Sequence, residues 1–168
     1  MENLAAIENV VRVIFPSTMM NEGELLPAAF KLRQQKDAPE QYISVFRQYS
    51  DSFHADILRF DKLRNLPCCI LNVGEVDAIT LKIANSDVKY FVRAVPTETS
   101  LSHAGIFIYL GGVLIEGNGN GAFSALGLGV SSNAHLIAIR RRLVEIAKKR
   151  MTTVSQLTTD VGSGTSKH

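Results

Sequence analysis

Two apolar runs in this chain meet across a pair of glycines: His103–Leu110 (HAGIFIYL), Gly111-Gly112, then Val113–Glu116 (VLIE). A two-residue turn that closes a hairpin needs positive φ at its central positions, and Gly-Gly supplies it without steric cost. The stretch is therefore expected to be an antiparallel hairpin on which the rest of the chain is organised. Nearly all of the local polar chemistry lies at its ends. Ser102 and His103 stand at the entry, and Glu116 and the loop Gly117–Gly121 (GNGNG) at the exit.

The 168-residue chain is long enough for one domain with a full core. Apolar residues at 46% and charged residues at 20% are ordinary globular proportions. A formal charge of +2 gives no whole-molecule field toward nucleic acid or an anionic membrane, so such a case rests on local patches. The apolar runs are shorter than the roughly 18 residues a spanning helix requires, and no membrane role is expected. The start, MENLAAIENVVRVIF, lacks a basic leader. Cys68 and Cys69 are adjacent, so on a strand they point to opposite faces. A disulfide scaffold is excluded on that ground and a reducing cytoplasm expected. Four scattered histidines beside the Cys-Cys pair have no metal-ligand spacing, and no metal is expected.

In chain order, strands are read at Val10–Phe15 and Tyr42–Phe46, with a short irregular or helical element over Ser17–Arg33 and a polar surface loop over Gln34–Gln41. Ser50-Asp51 caps a helix over about Ser52–Arg64, whose Phe53, Ile57 and Phe60 form one apolar stripe. Cys68–Val73 (CCILNV) reads as a strand buried on both faces. Val76–Ile83 and Val88–Val95 form a further hairpin around Asn85-Ser86-Asp87, with a short helix as the alternative for Val76–Ile83. Ala122–Val130 carries too much glycine for a stable helix. Ser131-Ser132-Asn133 caps the longest helix, Ala134–Met151, on which Leu136, Ile139, Leu143, Ile146, Ala147 and Met151 share one face. The fold class is α+β: a mostly antiparallel sheet of about six short strands with two helices on one face, the longer one C-terminal. One domain is expected over 1–151, followed by a flexible tail, 152–168, whose removal leaves the fold intact.

Several constellations carry chemistry. The segment Ser102–Gly112 resembles the histidine strand of papain-like peptidoglycan hydrolases, which implies His103 as a general base for Cys68 or Cys69. Those enzymes place the thiol at a helix N-terminus, where its pKa falls, whereas this chain places it in an apolar strand, where burial raises it. Arg12 on one strand, the crossing element Glu22–Leu25 and Ser44 on the next are similar to the opening of the ADP-ribosyltransferase fold. That resemblance implies NAD held by Arg12 and Ser44, with Glu116 polarising the ribose; apart from it, no cofactor is expected. The order RVIFP, EGELLPAAF, YISVFR, SHAGI resembles small uncharacterised bacterial proteins over about the first 110 residues.

The loop Gly117-Asn118-Gly119-Asn120-Gly121 is a candidate ligand loop, because successive backbone N–H groups can face an anion. It matches neither dinucleotide nor Walker spacing, and a surface loop or lid over Gly117–Asn133 is the alternative. The long helix carries Arg140-Arg141-Arg142 and Lys148-Lys149-Arg150 against Glu145 alone. Nucleic acid binding requires Arg141, Arg142, Lys148 and Lys149 to stand free of carboxylates on one face, without aromatic help. Arg140 falls inside the apolar arc and needs a partner, Glu116, Glu75 or Asp77. The leading reading is a cytoplasmic binding or accessory module that contacts a protein partner or a copy of itself, with Arg140, Arg141 and Lys148 as partner-binding residues and an exposed apolar patch as its mark. The alternatives are the NAD-dependent transferase and, behind it, the cysteine–histidine hydrolase.

Overall fold

Residues 1–34, 38–59, 61–128 and 133–159 are described by a computed structural model. The first half runs β1 (Asn9–Val13), α1 (Pro16–Met19), a ribbon of β2 (Met20–Asn21) and β3 (Glu24–Leu25), and a 3-10 turn, Pro27–Phe30. Next come β4 (Ile43–Arg47), α2 (Phe53–Leu58), a second 3-10 turn (Asp61–Leu63), β5 (Pro67–Asn72) and α3 (Val73–Asp77). The second half runs β6 (Leu81–Ile83), β7 (Ser86–Ala94), β8 (His103–Leu110), β9 (Val113–Leu114), α4 (Asn120–Ala125), α5 (Asn133–Ala147) and β10 (Met151–Thr153). A last helix, α6, covers 154–159. The expected residues Phe60, Gly129–Ser132 and the tail from 160 lie outside the described residues, as do 35–37 of the polar loop.

The fold is α+β. One eight-stranded antiparallel sheet has the order β10-β5-β1-β4-β8-β7-β6, with β9 also pairing with β8. The glycine pair turns the chain between β8 and β9, with Tyr109 opposite Leu114 and Leu110 opposite Val113. Gly111 and Gly112 have φ of +56° and +82°, as a primed turn requires. A Cβ on Gly111 would lie 3.1 Å from both Leu126 methyls. Gly111→Val is therefore expected to cost about 1–3 kcal/mol for the left-handed backbone alone. Gly112→Asn, at an open position whose φ asparagine tolerates, is expected to cost little. Equilibrium denaturation of the two variants checks the contrast.

Alternation along β1 decides where the layers lie. Val10 and Ile14 enter a large core with α5, while Val11 and Val13 enter a second one with Phe53 and Ile57 of α2. α5 and α2 thus cover opposite faces, not one face as the sequence suggested: β1 and β5 are buried on both sides, and each side needs its own cover. Leu136, Ile139, Leu143, Ile146 and Ala147 of α5 are all buried, as their spacing predicts. At about 1.5–3 kcal/mol for each large side chain, that face stabilises the helix far more than its propensity. The Tyr90 hydroxyl on β7 donates to the Ile139 carbonyl at 2.6 Å and ties the helix to the sheet.

Three other expectations change. α2 ends at Leu58, well short of Arg64. Val76–Ile83 divides between the end of α3 and β6. Glycine does not prevent a short helix over Asn120–Ala125, because Ala122 and Phe123 are buried and Gly119, at φ +78°, forms its left-handed cap. The tail boundary also moves. Met151, Thr152 and Thr153 pair with Cys69, Cys68 and Pro67, and Val154 and Leu157 of α6 are buried in the second core. Residues 152–159 are therefore part of the domain, since the apolar side chains among the Ser and Thr find a site beside β5.

Candidate functional site

The segment after β1 shapes a concave region beside β4. Pro16 and Pro27 start the short helical turns of α1 and Pro27–Phe30, where a fixed φ is already helical. The second turn brings the Ala29 carbonyl over Arg12, which donates to it from Nε at 3.2 Å and Nη2 at 3.0 Å. Nη1 donates to the Ser44 carbonyl at 2.9 Å. Arg12 is thus a clamp between the 3-10 turn and β4, and burial pulls its pKa below the ordinary guanidinium value. A cleft of about 500 Å³ opens here, lined by Arg12, Ser44, Lys31, Arg33 and Glu40 among others.

The transferase arrangement requires Glu116 in the same place. Arg12 and Ser44 do share this cleft, but Glu116 lines another, with Gln34, Pro39 and Asn118, and accepts from Gln41 Nε2 at 3.0 Å. One arm of chain reaches both clefts by different residues: Lys31, Arg33 and Glu40 line the first, Gln34 and Pro39 the second. The hydrolase arrangement does not form either. Cys68 and Cys69 are buried on β5, with burial pushing both thiols up to about 12. β1 and β4 separate β5 from β8, an offset of roughly 14 Å at strand spacing. His103 Nδ1 instead meets the Val95 carbonyl at 2.9 Å, so that nitrogen carries the proton, and the ring packs edge-on against Tyr42 and Phe46.

The glycine loop uses its own amides. Gly117 N–H donates to the Glu40 carbonyl, Asn118 N–H to Gln34 Oε1, Gly119 N–H to the Glu116 carbonyl and Asn120 N–H to Asn118 Oδ1. Those four groups do not form an open anion nest, and Gly121 lies within α4. On α5 and beyond it, Arg142 reaches Glu145 at 3.9 Å, while Lys149 and Arg150 both reach Glu75, at 3.1 and 3.5 Å. The carboxylate-free face that nucleic acid binding demands is therefore not met at Arg142 and Lys149. Arg141 and Lys148 are exposed and carry no carboxylate partner among the described residues.

Arg140 takes none of its three expected partners. It is half-buried, has no hydrogen bond or ion pair among the described residues, and burial lowers its pKa. It lines a second cleft of about 570 Å³ that shares Lys31 and Arg33 with the first and adds Gln34, Asn118 and Asn133, with Leu32 and Leu136 as the apolar part. Arg33 pairs with Glu40 through Nε at 3.2 Å and Nη2 at 3.3 Å, and its N–H donates to the same carboxylate at 2.5 Å.

Sequence reasoning passed over two groups. Lys31 and Arg33 sit at the end of a segment read as a short irregular or helical element; their alternation around buried Leu32 was the available signal. Asp56 falls three residues after Phe53, on the apolar stripe of α2, and is buried. Its Oδ2 accepts from Ser102 N at 2.9 Å, Ser102 Oγ at 2.5 Å and Ser52 Oγ at 2.9 Å. Among the described residues no three His, Cys, Asp or Glu side chains gather as a metal ion would need, and no helix is long and apolar enough to cross a membrane. No protein-family model, curated protein or solved structure matches this chain.

Proposed function

We propose that this chain is an interaction module that docks a protein partner on the end of the sheet where β1, β4 and β8 come together. The observation that carries the reading is a group of large apolar side chains left in water there. Ile7, Tyr49 and Leu101 are 81%, 63% and 64% exposed. Each belongs to a segment that meets this sheet end next to one ion pair, Arg47 with Glu8, bonded through Nε and Nη2 at 3.0 Å each. Ile7 precedes Glu8, Tyr49 accepts from Asn9 Nδ2 at 3.1 Å, and Leu101 precedes Ser102, whose carbonyl takes the Arg47 N–H at 2.7 Å. Apolar anchors around a hydrogen-bonded charge pair are the composition of an interface core and its rim. A second copy of the chain is the first partner to test, because a two-fold contact needs one self-complementary patch. Two reduced, buried cysteines fit a module working in the cytoplasm.

Ile7→Lys with Leu101→Lys is expected to leave melting within about 0.5 kcal/mol, as for surface changes away from special features. The same pair is expected to abolish association seen by sedimentation equilibrium or by a photo-crosslinking residue at position 49. A wild-type chain that stays monomeric and yields no crosslink dependent on Ile7 and Leu101 would sink the reading.

A further inference from the structure

The second cleft has an unusual inventory of polar groups. Three cations line it, Lys31, Arg33 and Arg140, and no carboxylate does among the described residues. Its two loop amides have their acceptor oxygens spoken for: Gln34 Oε1 takes the Asn118 N–H at 3.2 Å, and Asn118 Oδ1 takes the Asn120 N–H at 3.1 Å. A backbone N–H fixes which end of each amide is oxygen, so both NH2 groups are what remains to offer. Every one of these five side chains thus presents donors. Glu40 compensates Arg33 from the neighbouring cleft, leaving Lys31 and Arg140 as two positive charges without a counter-charge among the described residues. Arg140 stands half-buried beside Leu136, a position that normally requires an anion.

We propose that this cleft is a binding site for a phosphate ester of about nucleotide size, with Lys31 and Arg140 on the phosphate and the organic part against Leu32 and Leu136. A phosphate monoester carries close to two negative charges at neutral pH, matching the two uncompensated cations. The guanidinium fork of Arg140 suits phosphate oxygens in a bidentate contact. The volume, about 570 Å³, lies in the range of small-molecule sites and exceeds what inorganic phosphate fills. The site is separate from the sheet end proposed for the protein partner, and either can fail alone.

The test is calorimetric titration and thermal melting of the full chain with ADP, ribose 5-phosphate, inorganic phosphate and succinate. At least one organic phosphate is expected to bind and raise the melting temperature, more than inorganic phosphate or succinate does. Arg140→Met is expected to weaken that binding about tenfold or more, the scale of a hydrogen bond to a charged group. It should leave the melting of the free protein unchanged or higher, because an unpaired half-buried charge is removed. Glu40→Gln should tighten binding by releasing Arg33, and Arg141→Met on the exposed face should change nothing. No shift with either organic phosphate, an equal response to succinate, or binding that survives Arg140→Met intact would each overturn the proposal.

Discussion

Ending the chain at Met151 is expected to destabilise the domain by about 3–6 kcal/mol, from the loss of one fully buried valine and one buried leucine at about 1.5–3 kcal/mol each. Val154 is 0% and Leu157 8% exposed, and both pack with Val11, Val13, Phe53 and Ile57 between β1, β5 and α2. The cut also strips Thr152 and Thr153 from β5, leaving the Cys68 backbone on an open edge and the Leu66 carbonyl without the Val154 N–H. Against a total stability of ordinarily about 5–15 kcal/mol, such a loss brings the midpoint close to ambient conditions. Chemical denaturation of the chain ending at Met151, beside one ending at Thr159, checks it. The longer chain retains all the contacts just named. Equal midpoints for the two would mean that 152–159 contribute nothing to the core.

Asp56→Ala is expected to cost about 2–6 kcal/mol at neutral pH, because Ser102 N–H and Ser102 Oγ are left buried without their acceptor at about 1–3 kcal/mol each. Burial by itself would raise the carboxyl pKa; the hydrogen bonds from Ser102 and Ser52 outweigh it, and the net direction is down. A carboxylate held lower in the folded than in the unfolded state adds stability above its unfolded value, near 3.8. That contribution disappears as pH falls through the folded value. The stability gap between wild type and Asp56→Asn should accordingly be largest at neutral pH and close in acid, as read from denaturation midpoints across that range. A gap that does not depend on pH would show that the carboxylate charge plays no part. The same carboxylate fixes Ser102 beside Leu101, so Asp56→Asn is also expected to loosen the proposed docking surface.

Elements with a strong local period were legible before any tertiary information. The Gly111-Gly112 turn and the full extent of β8 followed from the need for positive φ between two apolar runs, and α5 from apolar side chains repeating every three to four residues. The burial of Cys68 and Cys69 followed from an unbroken apolar run. Other features were not legible because their causes are not local. The residues after Met151 look polar, yet two apolar side chains three apart suffice to dock them once β5 offers an edge and α2 a wall. Arg12 on a strand of valines does not reveal that its partners are two main-chain carbonyls, since carbonyls belong to every residue and leave no mark in the sequence. Arg140 was recognisable as a cation inside an apolar arc, but its surroundings depend on where the arm from Lys31 to Gln34 and the loop at Asn118 come to rest. The sequence by itself determined the strongly periodic elements, β8 with its turn and α5, and the side chains they must bury, because hydrogen-bond geometry and periodicity are properties of neighbouring residues. Tertiary structure alone decided which helix covers which face and which charges are left without a counter-charge, because those depend on contacts between segments that no local pattern encodes.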